Sequence, residues 1–292
     1  MLNLLNFLPI SIDAVELFSA NNLFLIAVAI FWLVIASIQD FKGREVENWW
    51  TFSLIAFVLV FRAFVSVSEV NAVYFICGLI GLGFGFILMN AFYYGRMFGG
   101  GDAKMLMALG TIIPLSFDWK INLELIILFT LIFLIAGAVY GIVYSKILMF
   151  MNFKRFKQEF SVILRKHKKI AYAVGVMGLL LFVLSVVLDF YAGRFLALLI
   201  FISPLLMIWA KAVENSCMVK SVDARDLTIG DLLISSIKIG KKIIKPDWEG
   251  LSEKELLFIQ KNYKKKVLIR YGVPFIRAFL IALIILLSLI YF

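Results

Sequence analysis

Two aspartates stand where carboxylates are costly. Asp40 follows the apolar run 22–38 in IQDFKGREVENWW, and Asp102 follows Gly99, Gly100 and Gly101 in FGGGDAKM. An ionisable group at a membrane edge is expensive to keep, so it is a functional candidate by default. Two carboxylates at close quarters cannot both ionise easily and share a proton. One then acts as base toward a water while its protonated partner polarises a substrate carbonyl, the acid–base chemistry of peptide hydrolysis. That chemistry needs neither metal nor thiol. The glycines suit it, because a backbone without side chains lets an extended substrate strand come close.

Each residue also has a plainer reading. Asp102 could serve as N-cap of the helix that follows, satisfying free amides at a positive helix end. Asp40 could be an ordinary interfacial residue. It lies near the C-terminal end of its helix, however, where the dipole disfavours a carboxylate, so Lys42 or Arg44 must compensate. Glu45 and Glu47 are rivals for the same work. Asn48-Trp49-Trp50 reads as a cap followed by an aromatic interface anchor. Gly78, Gly81, Gly83 and Gly85 read as helix-packing positions, and Met105 and Met107 as core filling.

The elements that must position these residues are set by composition. The chain of 292 residues is 63% hydrophobic and 16% charged, with a mean hydropathy of +1.00 and 29 Phe. So little polar surface could not cover a soluble core. Eight apolar segments are expected as spans: 22–38, 48–65, 72–92, 102–114, 121–145, 170–188, 194–211 and 271–292. The fourth is short for a crossing and suggests a helix that starts below the surface or beside a wet crevice. The expected class is an all-α polytopic membrane protein of about eight transmembrane helices with a small cytoplasmic module before the last. The divisions are 1–145 for a catalytic transmembrane core and 146–212 for a basic loop and an additional hairpin. The module occupies 213–270, and 271–292 forms the C-terminal helix.

Charge orients the spans. Twenty-five of the 29 Lys and Arg fall in alternate loops, against Lys120 and Arg194 in the others and Arg62 and Arg277 within spans. The basic loops belong in the cytoplasm, which puts both termini outside and both aspartates at the cytoplasmic edge of a cell membrane. The net charge of +10 then reflects those loops, and nucleic acid is not an expected partner. Residues 152–169 read as a solvated basic loop or a segment lying on anionic lipid; His167 among its lysines is not a ligand. Within the module, Asp226–Asp231 suggests a turn. LSEKELLFIQKNY suggests a helix with a Ser252–Glu255 capping box. Cys77 and Cys217 do not make a disulfide framework or a thiolate metal site, and no metal or other cofactor is expected. The first 21 residues hold no Lys or Arg, so no removable signal peptide is expected.

The run Gly99-Gly100-Gly101-Asp102-Ala103-Lys104 resembles the GxGDxK motif of type IV prepilin peptidases, including the archaeal preflagellin peptidases. Asp40, Arg44 and Asn48 are similar to the D-x₃-R-x₃-N surroundings of that family's first catalytic aspartate. The proline common before the asparagine is Glu47 here. Residues 223–285 resemble the archaeal branch more loosely, through Gly230-Asp231, Gly250-Leu251-Ser252 and GVPFIRAFLIA. The resemblance implies an aspartic endopeptidase with Asp40 and Asp102 catalytic. Its substrates are pilin or archaellin precursors whose short basic leader precedes an apolar helix. The hairpin 170–211 is an addition to the simplest form and tilts the expectation slightly toward pilins. Bacterial relatives with paired Cys-x-x-Cys motifs add N-methyl transfer, which is not expected here. Glu45 and Glu47 are candidate contacts for the leader. Two alternatives stay open: an intramembrane protease of the presenilin type, and a non-catalytic transporter or pilus-assembly protein.

Overall fold

Apolar runs of this length become helices because lipid leaves no partner for an unpaired backbone amide. The structure, a computed structural model, describes residues 19–43, 46–240 and 242–291. The helices in its apolar segments are α1 (Ala20–Gly43), α2 (Asn48–Ser68), α3 (Val73–Tyr94), α4 (Gly100–Gly110), α5 (Trp119–Met151), α6 (Phe153–Val187), α7 (Tyr191–Cys217) and α9 (Ile276–Tyr291). Helix α8 (Glu253–Asn262) lies within the segment 213–270. Each of the eight expected segments holds a helix, although the fourth stops at Gly110 rather than 114 and the last starts at Ile276 rather than 271. Six, α1–α3 and α5–α7, are long and apolar enough to cross a membrane. The fold is that of a polytopic all-α membrane protein.

The chain divides into two compact units. The first holds the residues up to Gly141 together with Val273–Phe292, and the second holds Ile142–Gly272. In the first, α1–α4, the start of α5 and α9 share a core centred on Leu25, Leu33, Leu54, Leu109, Phe129, Phe133 and Phe279. Met105 and Met107 are buried in it, as core filling requires.

Helix α4 has only eleven residues and is not one of the membrane-crossing helices. At about 1.5 Å per residue it is roughly 17 Å long, against a hydrocarbon layer of about 30 Å. Glycines let it lie close against α3. A Cβ on Gly81 would collide with the Gly110 carbonyl oxygen, and one on Gly85 would sit 2.8 Å from that of Met107. Gly78 makes room for a different neighbour, the Arg62 side chain, whose Cδ would be 2.5 Å from a Cβ there. Gly83 has nothing within 4 Å, so the packing expectation fails at that position alone of the four.

Beyond α4 the chain runs irregularly through the bundle, which is tolerable only where its polar groups are satisfied by protein. Arg62, fully buried on α2, supplies part of that. Its guanidinium donates to the carbonyls of Tyr74 (3.0 Å), Ile112 (3.1 Å) and Pro114 (2.5 Å). Asn22 donates to the Leu115 carbonyl at 2.6 Å, and Asn122 both accepts from and donates to the backbone of Ser116.

In the second unit α6 and α7 form a long hairpin. Phe156 and Ile163 pack against Ile208, Ala212, Val213 and Cys217. The basic stretch expected as a loop is therefore the start of α6. Phe156, Phe160, Ile163 and Leu164 recur at helical spacing and give it an apolar face, which the lysines had obscured. The module adds short strands, β1 (Val219–Asp223), β2 (Leu232–Leu233), β3 (Ile237–Ile239), β4 (Lys242–Ile244) and β5 (Lys266–Arg270). They pair as β1-β5-β2 and β3-β4, all antiparallel. The module's core gathers Leu227, Leu233, Ile244, Leu256, Ile259 and Ile269. Ser252 and Glu255 form the expected capping box of α8, and Gly230 takes the left-handed conformation (φ 88°) its turn requires.

Candidate active site

Helix α1 ends, and α2, α4 and α9 begin, around one site in the first unit. Asp40, three residues from the end of α1, is 5% exposed. Its Oδ2 accepts a hydrogen bond from the backbone N–H of Ile276 at 3.0 Å, the first residue of α9. The compensation expected from Lys42 or Arg44 thus comes in part from a backbone amide at another helix's positive end. The Arg277 guanidinium lies 4.3 Å from the centre of the neighbouring Phe41 ring.

Asp102 comes from the other motif. Helix α3 closes with the Met97 amide on the Phe92 carbonyl and the Arg96 amide on that of Tyr93, with Arg96 left-handed at φ 56°. The chain then passes through Phe98 into the glycines. Phe98 packs at tilted angles among Phe92, Phe133 and Phe275, with ring centres 5.1, 5.4 and 5.1 Å away. The N-cap of α4 is Gly99, in extended conformation, so Asp102 does not cap the helix in the way sequence allowed. It sits two residues inside, half-buried, in the first turn of a helix too short to cross the membrane. Desolvation and then the Asp40 carboxylate push its carboxyl up to about 8, against a hydrogen bond from the Gly99 backbone that lowers it. The two aspartates are therefore close enough for the charge of one to act on the other.

The supporting residues divide. Lys104 donates to Asn48 Oδ1 at 2.6 Å, tying the second motif to the first. Asn48 is the first residue of α2 and Glu47 its N-cap, one position earlier than expected. Glu47 has φ −61° and ψ 135°, values a proline would adopt, so the turn keeps its geometry without one. Its carboxylate accepts from the Trp49 indole. Arg44 and Glu45 lie outside the described residues.

The glycine run is not explained by crowding. A Cβ on Gly99 would be 3.8 Å from Asp102 Oδ2, one on Gly100 3.8 Å from the Tyr93 ring, and one on Gly101 3.8 Å from the Val46 amide. Those are ordinary contact distances. Two glycines in the first turn cost helix stability that the protein's own packing does not demand.

What sequence reasoning missed is the approach of α9. The Ile276 amide is a backbone group and carries no side-chain signal, although GVPFIRAFLIA contains it. Among the described residues no three His, Cys, Asp or Glu side chains gather as a metal site needs.

Residues 27–142, which hold both aspartates, match the type IV leader peptidase family. That bears out the resemblance read from the two motifs. Three similar proteins are each called preflagellin peptidase. That of Methanococcus maripaludis strain C6 is 29% identical over 127 residues, 41% of this chain and 55% of the relative. Those of Methanocaldococcus jannaschii and Methanococcus voltae are 35% and 33% identical over 88 residues, covering 28% and 30% of this chain. The chain spans 35% and 37% of those two relatives, and about half or less of the three taken together. No solved structure matches the chain.

Proposed function

We propose that this protein is a membrane aspartic endopeptidase that removes the short basic leader from archaellin or type IV pilin-like precursors at the cytoplasmic face of the cell membrane. The observation that carries the reading is that aspartates from two separate motifs lie close enough for Asp40, with burial, to push the Asp102 carboxyl upward. In this reading Asp40 takes a proton from water as the oxygen attacks the scissile carbonyl. Asp102, still protonated near neutral pH, hydrogen-bonds the developing oxyanion. Asp40 then returns its proton to the leaving amine as the C–N bond breaks. The uncrowded glycines support close approach of an extended substrate beside Asp102, and Lys104 and Asn48 brace the loop against the start of α2. Glu47 remains a candidate contact for the leader's Lys and Arg.

The presenilin-type reading is less favoured because Asp40 stands three residues from the end of α1 rather than at mid-helix. The relatives' names support archaellins as substrates, while the α6–α7 hairpin leaves pilins in view.

The acid role sets a pH dependence. Asp102 must keep its proton, so kcat/KM for a leader-bearing peptide falls as pH rises through about 8. A profile flat to pH 10 would remove Asp102 as the acid.

Sidedness follows from the distribution of Lys and Arg. In intact cells, a cysteine replacing Gly43 or Lys157 is shielded from an impermeant maleimide, and one replacing the exposed Asp118 is labelled. External labelling at position 43 would move the site to the wrong face.

A further inference from the structure

We infer that the start of α9, the Phe275–Ile276 step, is a positioning element that holds both candidate catalytic carboxylates in register. This rests on the dyad reading. One end of the clamp is polar: the Ile276 amide donates to Asp40 Oδ2 at 3.0 Å and fixes the direction of that carboxyl. The other end is aromatic. The Phe275 ring lies 5.1 Å from Phe98, which leads directly into the glycines and Asp102, and 5.8 Å from Phe133. Gly137 on α5 makes the seat, since a Cβ there would stand 2.5 Å from the tip of the Phe275 ring. Ile276 itself is fully buried, and Phe279, one turn on, stacks on Phe133 at 4.1 Å. Two adjacent residues at the entry to α9, Phe275 just before it and Ile276 its first residue, therefore reach the end of α1 and the loop before α4. These are separate elements whose carboxylates must keep a fixed spacing to share a proton. Small misplacements matter in such a pair, because a shift of about 1 Å can cost on the order of 100-fold in rate.

The amide can be removed with little else. Proline is tolerated at the first position of a helix, where its fixed φ fits and its missing N–H breaks no intrahelical bond. The full-length protein carrying Ile276→Pro is assayed on a leader-bearing precursor peptide beside wild type and Ile276→Val, after thermal unfolding in detergent has established that each is folded. We expect Ile276→Pro to lower kcat about 10- to 100-fold with KM changed less than about threefold. Ile276→Val, which trims the side chain but keeps the amide, should recover most of that loss. Equal losses in the two variants, or full activity in Ile276→Pro, would overturn the clamp. Should Ile276→Pro not fold, Phe98→Leu and Phe275→Leu decide instead. Losses in kcat that are coupled in the double variant support the clamp, and additive losses refute it. Wild-type protein inactive on the peptide counts against the peptidase reading itself, whereas active wild type beside a fully active Ile276→Pro counts against the clamp alone.

Discussion

Asp102→Asn abolishes leader cleavage while the protein stays folded and inserted, and Asp40→Asn does the same. The amide keeps the shape of the carboxyl and can still accept the Gly99 or Ile276 backbone hydrogen bond, so local structure survives. What it cannot do is exchange the proton that the pair must pass to and from substrate. General acid–base groups contribute about 10²–10⁴-fold each, and groups acting as one unit lose nearly everything on the first change. The double variant should accordingly be little worse than either single one. Asp118→Asn and Asp189→Asn, exposed residues remote from the pair in sequence, are controls that cleave normally. If Asp102 served only the first turn of α4, asparagine would replace it well and activity would persist within a few-fold. Mass-spectrometric detection of the released leader at long incubation separates these outcomes.

The second large effect is on stability. Arg62→Met leaves the carbonyls of Tyr74, Ile112 and Pro114 without their donor inside the bundle, where water does not replace it. A buried acceptor left unsatisfied costs about 1–3 kcal/mol, above the roughly 1 kcal/mol of an ordinary hydrogen bond. The loss should appear as a lower unfolding midpoint in detergent. Because Ile112 and Pro114 follow α4 directly, it should also loosen the helix that presents Asp102. Arg62→Lys should recover only part, since an ammonium cannot reproduce the guanidinium's planar fork toward three acceptors. An unchanged midpoint in Arg62→Met would show that the segment after α4 finds other partners.

Much of the architecture was legible because lipid enforces simple rules. Twenty-residue apolar runs must be helices, and the spacing of Asp40, Asn48, the glycines, Asp102 and Lys104 marked both motifs. The shortness of α4 was visible in the length of its apolar run. What holds the chain beyond it was not, because the sequence places Arg62 within a span without showing that Tyr74, Ile112 and Pro114 offer it their carbonyls. The start of α6 reads as a basic loop or a lipid-surface segment for a related reason. Eight Lys and Arg in 146–169 dominate the composition, and the apolar face formed by Phe156, Phe160, Ile163 and Leu164 appears only when positions are counted in helical steps. The role of α9 was the least legible, since the group that meets Asp40 is a main-chain N–H and every residue but proline has one. Gly83, on the same stretch as Gly78, Gly81 and Gly85, shows that a pattern of small residues does not say which of them face a neighbour.

The proposed peptidase needs no protein besides this chain to cut a leader from its precursor with two carboxylates. The most direct measurement incubates the purified full-length protein, in detergent or lipid, with a precursor bearing a basic leader before an apolar helix, and maps both products by mass spectrometry. The expected result is a single cut at the boundary between leader and helix, with no added protein, unaffected by chelator or thiol alkylation, and absent in Asp40→Asn/Asp102→Asn. An intact precursor with wild-type protein, or equal cleavage by the double variant, would contradict it.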